Sequence, residues 1–143
     1  MSDLTEFFGE PIAVYTTADA LADGTLVDAG EVARQLFRWP VLLTAAAWQD
    51  CVAWSEADTE HTGAYGQSES GRLWDVLWMT RRAIGAAGAA AGEHLATPVR
   101  LYRISRGSSH ATEPEAEPVT LKVTGGLNDD GTPLLVVSFP EED

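Results

Sequence analysis

The strongest periodic stretch of the chain is Gly71 to Ile84, GRLWDVLWMTRRAI. Leu73, Val76, Leu77 and Ile84 recur at three-, four- and seven-residue spacings with Thr80 on the same side, the repeat of one helical face laid on a core. Trp74 and Trp78 are four apart, so their rings can stack along one flank of that helix. Met79 and Ala83 widen the apolar surface and predict a helix covered on more than one side. Further on, Val119, Leu121 and Val123 alternate with Thr120, Lys122 and Thr124, a half-buried strand. Asn128-Asp129-Asp130-Gly131 turns the chain with residues that tolerate positive φ, and Leu134 to Phe139 returns it. Val99 to Ile104 is a third strand, whose imperfect alternation predicts a bulge.

The N-terminal half is patterned in shorter pieces. Pro11 to Tyr15 reads as a strand. Thr16 with Asp19 three residues later resembles a capping box, opening a short helix that Gly24 ends in the left-handed region. Thr25 to Val27 is a second strand, and Asp28 caps a helix with Val32, Leu36 and Phe37 on one face. Trp39-Pro40 stops that helix. Val41 to Leu43 is a brief strand, and Thr44 caps a helix from Ala45 to Trp54 with Trp48, Cys51 and Val52 inward. Residues 55–70 and 107–117 read as loops, 1–10 and 140–143 as frayed ends, and the alanine-glycine tract 83–92 as a fraying helix tail or a link. The pattern predicts one α+β domain over residues 1–143. It has short N-terminal strands and helices, a central Trp-rich helix, and a C-terminal antiparallel sheet of three strands with a β-hairpin, joined or faced by the N-terminal strands. The predicted core is Trp48, Leu73, Leu77, Trp78, Leu121, Val123, Val136 and Phe139.

Charge changes this picture more than composition does. The chain has 22 acidic and 9 basic residues, a net charge of −13. Residues 1–70 hold twelve acids and two bases, residues 107–143 eight acids and one lysine, and residues 71–106 six arginines against two acids. The outer thirds repel nucleic acid, whose binding rests on phosphate contacts from Lys and Arg, so no binding to duplex DNA is expected at physiological salt. No apolar run approaches the ~20 residues of a membrane span. The start of the chain, MSDLTEFFGEPIAV, lacks a basic signal region, and Cys51 is a lone cysteine; the expectation is a cytoplasmic protein without membrane contact.

A search for chemistry assigns no catalytic residue, metal ligand or cofactor. His61, His94 and His110 are scattered and Cys51 is alone, so no zinc spacing exists. Asn128 to Asp130 lack the rest of a calcium loop, and no P-loop, dinucleotide fingerprint or nucleophile elbow is present. Cys51, on the apolar side of its helix, reads as a small buried hydrophobe. Two surfaces are left as interaction sites for a protein partner. One is the acidic group Glu56, Asp58 and Glu60. The other is the aromatic-arginine helix with Arg72, Trp74, Trp78, Arg81 and Arg82. The plainer reading of that helix has the tryptophans filling the core and the arginines in internal salt bridges.

The segments PIAVYTTADALADGTLVD (11–28), FRWPVLLTAAAW (37–48), GRLWDVLWMTRRA (71–83) and VTLKVTGGLNDDGTPLLVVSFPEED (119–143) resemble an uncharacterised bacterial family whose members sit on plasmids, phages and integrated elements. The resemblance implies a mobile-element setting and no settled activity. Two functions are weighed. The first is a non-enzymatic acidic interaction protein, an inhibitor of a host defence or regulatory protein that presents acids where a partner expects phosphates. The second is an enzyme on nucleotides or nucleic acid that grips phosphate with Arg72, Arg81, Arg82, Arg100 and Arg103, which requires a pocket where they converge with a carboxylate.

Overall fold

The computed structural model describes residues 16–87, 96–107 and 114–142. Along them run helix α1 (Thr17–Asp23), strand β1 (Leu26–Asp28), α2 (Gly30–Leu36), β2 (Val41–Thr44), α3 (Ala45–Cys51), α4 (Glu56–Thr62), the long α5 (Glu69–Ala87), β3 (Thr97–Ile104), β4 (Ala116–Leu127) and β5 (Pro133–Ser138). The strands form one mixed sheet in the order β1-β2-β5-β4-β3. Strands β3, β4 and β5 are antiparallel neighbours, and β2 joins them by pairing parallel to β5. The α+β expectation therefore holds, with the N-terminal strands joined to the C-terminal sheet rather than facing it.

Local sequence explains most element ends. The Thr16 hydroxyl accepts from the Asp19 amide and the Asp19 carboxylate accepts from the Thr16 amide, closing the predicted capping box of α1. Gly24 ends the helix at φ 83°, a conformation costly for any residue with a Cβ. The same helix receives a second carboxylate from far along the chain: Asp129, in the β4–β5 turn, accepts from the amides of Thr17 and Ala18. Thr44 caps α3 as expected, but that helix ends at Cys51, where the Val52 and Ala53 amides both donate to the Trp48 carbonyl. The Asp28 carboxylate accepts from the Gly30 amide, one residue ahead of the position that caps α2.

The core lies between one face of the sheet and α2, α3 and α5. It contains Val41, Leu43, Leu121, Val123, Val99, Leu101 and Val137 from the strands, with Leu73, Val76 and Leu77 from α5. Leu42, Leu134 and Ser138, of opposite parity, are buried as well, so the middle of the sheet is covered on both faces. The β3 edge is not, because Arg100 and Tyr102 on that second face are exposed.

Several expectations need correction. Residues 55–70 are not a loop throughout: α4 occupies Glu56–Thr62 because Ser55 and Asp58 form a capping box, and Gly63 stops it at φ 77°. No bulge interrupts β3, whose register with β4 is unbroken from Thr97↔Val123 to Ile104↔Ala116. Strand β4 begins at Ala116, inside the stretch read as a loop. Residues 140–142 are not frayed. The Glu142 carboxylate accepts from the Phe139 amide and the Thr44 hydroxyl, and Lys122 Nζ donates to the carbonyls of Pro140 and Glu142. In the core, Val137 rather than Val136 is fully buried, since it pairs with Val123 and shares its facing. Trp48, Val136 and Phe139 are half-buried, and Trp78 is exposed. The predicted strand Pro11–Tyr15 and the lead 1–10 lie outside the described residues.

Candidate functional site

The acidic group is the first candidate, and the fold divides it. Glu56 and Glu60 are exposed on α4. Asp58 has structural work: its carboxylate accepts from the Ser55 amide at 2.8 Å and from Arg106 Nε at 3.0 Å. Partial burial pushes the Asp58 carboxyl up, but the Ser55 amide and hydroxyl and the Arg106 guanidinium outweigh it and hold it below the usual carboxylate range.

The arginines divide likewise. Arg72 is 4% exposed and donates to the carbonyls of Val52, Asp50 and Ile104 and to Gln67 Oε1, with its guanidinium 4.7 Å from the centre of the Trp54 ring. Burial pulls its pKa below the ordinary arginine value. Arg103 forks onto Asp50 with two bonds of 3.1 Å and reaches Glu117. Arg72 and Arg103 line a hollow of about 220 Å³ with Cys51, Gln67 and Asp75. Their charge and most of their donors are already engaged by the protein's own oxygens. Burial, aided by Asp50, pushes the Cys51 thiol there up to about 12, so it stays protonated and unreactive near neutral pH. Arg81, Arg82 and Arg100 are different: they are exposed and form no ion pair among the described residues. The five arginines named as a phosphate grip thus do not converge on one pocket.

What the fold brings together instead lies on the outer flank of α5. Trp74 and Trp78 stack with ring centres 6.4 Å apart and planes 9° from parallel, and each is 41% exposed. The Arg81 guanidinium sits 5.7 Å from the Trp78 ring centre. The helical period accounts for this arrangement. Leu73, Val76, Leu77 and Thr80 take the inward side, so residues 74, 78 and 81 fall on the outward one. Beside Trp78, between α5 and the β3 edge, lies a depression of about 340 Å³ lined by Asp75, Trp78, Met79, Arg100, Tyr102 and Val119 among others. Tyr102, 71% exposed, is part of its wall.

Of the residues named from sequence, Trp74, Trp78 and Arg81 form one surface. Arg82, four residues past Trp78, is exposed as well. Arg72 belongs to the interior, and Glu56 and Glu60 lie on another element. Tyr102 escaped the sequence reading. The signal was available, since Val99 and Leu101 point inward and residues 100 and 102 must then point out.

A family model described as a family of unknown function (DUF6573) matches residues 4–143, and the chain belongs to that family. No match was found among curated proteins or solved structures. Among the described residues, no helix is long and apolar enough to cross a membrane.

Proposed function

For this member of the family we propose a non-enzymatic interaction protein, carried by a mobile genetic element as the resemblance of its segments implies. It docks a protein partner on the Trp74–Trp78 flank of α5 and so inhibits a host defence or regulatory protein. The observation that carries this reading is the tryptophan pair, two parallel indoles 6.4 Å apart left open to water under Arg81. Water contact with so much aromatic surface costs free energy that a partner recovers, and Trp and Arg are the side chains that dominate binding energy at interfaces.

The charge pattern supports the same surface. A net charge of −13 repels acidic molecules at most approaches. The exposed Arg81, Arg82 and Arg100, without an ion pair among the described residues, favour an acidic, partly apolar contact segment at this flank. At physiological salt, screening over about 8 Å lets the local arginines outweigh distant carboxylates. The surrounding acids then act against wrong partners.

The test is affinity capture from host lysate with three baits: wild type, Trp74→Ser/Trp78→Ser, and Glu56→Lys/Glu60→Lys. A partner lost with the tryptophan variant and kept with the lysine variant is the expected result. A partner held equally by a folded tryptophan variant overturns the proposal.

A further inference from the structure

Strand β3 is an end of the sheet, with β4 on one side and no strand on the other among the described residues. In an antiparallel ladder each residue turns its N–H and C=O both toward the partner strand or both away, alternating along the strand. Three observations fix which residues of β3 turn outward. Pro98 has no N–H to donate, so its pair with Lys122 is not a hydrogen-bonded one. Tyr102 lies opposite Pro118, which also cannot donate, so that pair is of the same kind. The Ile104 carbonyl, of the same parity, accepts from Arg72 Nη1 at 2.8 Å. The backbone groups of Arg100 and Tyr102 therefore point away from β4, and nothing among the described residues hydrogen-bonds to them. Arg72 fills the Ile104 end of this row; the stretch Pro98–Tyr102 is open among the described residues.

From this geometry we infer that the partner's contact segment binds as an added strand on the open edge of β3, and that it alternates acidic and apolar side chains. This rests on the docking surface proposed above and names how that surface is read. Main-chain bonds to Arg100 and Tyr102 supply the pairing. A strand in that place sends alternate side chains to opposite faces. One set meets the depression over Trp78, Met79, Leu101 and Val119, beside the Asp75 carboxylate, and is apolar. The other lies on the face to which Arg100 turns, where its charge has no ion-pair partner among the described residues, and is acidic. A second copy of this chain fits poorly, because pairing two β3 edges sets both Arg100 side chains on one face of the joined sheet, where like charges repel.

The experiment uses the full chain and a synthetic peptide alternating glutamate and valine, with tryptophan fluorescence for binding and amide hydrogen exchange for its location. Binding is expected to change the indole emission and to slow exchange of the Arg100 and Tyr102 amides by about tenfold or more. Tyr102→Pro removes the outward N–H without touching the ladder to β4. It should bind about tenfold more weakly than Tyr102→Ala, which keeps that N–H. Should Tyr102→Pro fail to fold by circular dichroism, a peptide N-methylated at alternate residues deletes the same bonds from the other side and should not bind. An indole response without amide protection overturns strand addition and leaves the tryptophan surface standing. Protection that rises with protein concentration in the absence of peptide overturns the acidic occupant in favour of self-pairing. No response to the peptide overturns the inference, while the docking reading is judged by the tryptophan bait alone.

Discussion

Helix α5 places an arginine against a tryptophan twice, near its start and past its middle, with opposite consequences. Arg72, in the second turn, is enclosed: its donors are spent on three backbone carbonyls and Gln67, and Trp54 covers its plane. Arg81, nine residues on, lies over Trp78 in the open, with no carboxylate partner among the described residues. The first pair ties α5 to the end of α3 and to the last residue of β3. The second is a contact within α5 itself. Residue type alone does not separate structure from recognition on this helix; the satisfaction of each donor does.

The sharpest way to break the contrast is to truncate the enclosed member. Arg72→Ala leaves the buried Val52 carbonyl and the part-buried Asp50 and Ile104 carbonyls without this donor, and should destabilise the protein by about 3–5 kcal/mol. Arg72→Lys should recover only a part, because an ammonium does not reproduce the guanidinium fork. Urea unfolding of the three proteins checks both. A loss below about 1 kcal/mol for Arg72→Ala would put Arg72 on the same footing as Arg81. Leu77→Ala, which empties a fully buried site in the same helix, should cost about 2–5 kcal/mol by the same measurement.

Much of this fold is legible in the sequence, for reasons that differ by element. The inward face of α5 and the β4–β5 hairpin follow from local periodicity and turn chemistry, which one stretch of chain carries by itself. The edge character of β3 does not, since it depends on the order β1-β2-β5-β4-β3, set by packing between distant segments. For the tryptophans hydrophobicity favours burial, while the faces actually covered are fixed by Leu73, Val76 and Leu77. Helix α4 went unseen since SEADTEHT has no apolar stripe. Its start rests on the Ser55–Asp58 box and its position on Arg106, a partner 48 residues away. The site was legible only in part: Trp74, Trp78 and Arg81 could be named from one helix, whereas their juxtaposition with Arg100 and Tyr102 is tertiary.

Asp58 is the intermediate case, an acid in the first turn of α4 that the fold has recruited. Asp58→Ala should cost about 1–2 kcal/mol, from the lost cap and the lost Arg106 contact. Because the folded-state pKa is lowered, the stabilisation is fully present above the ordinary carboxylate pKa of about 3.9 and is lost as pH falls through the lower folded value. The stability gap between wild type and Asp58→Ala should therefore narrow below about pH 4. A gap that stays constant into strong acid would separate the cap from the ionised carboxylate.

The smallest effect on stability is expected where the effect on binding is largest. Trp74→Ala and Trp78→Ala each remove half of a stacked pair that is 41% exposed on both members. An aromatic pair contributes about 0.5–1.5 kcal/mol beyond its area, so each change should cost about 1 kcal/mol, well under Arg72→Ala or Leu77→Ala. The double variant should cost less than the sum of the two singles, because the stacking is lost once. If the surface serves recognition, the same substitutions should weaken partner binding by more than ~2 kcal/mol, the range of interface hot spots. Thermal unfolding and binding measured on the same four proteins place the residues on one side or the other. A large loss of stability with unchanged binding would return the tryptophans to a purely structural role and make the two arginine–tryptophan pairs of α5 alike. A small loss of stability with a large loss of binding would set them apart, and Arg81→Ala should then follow the tryptophans rather than Arg72.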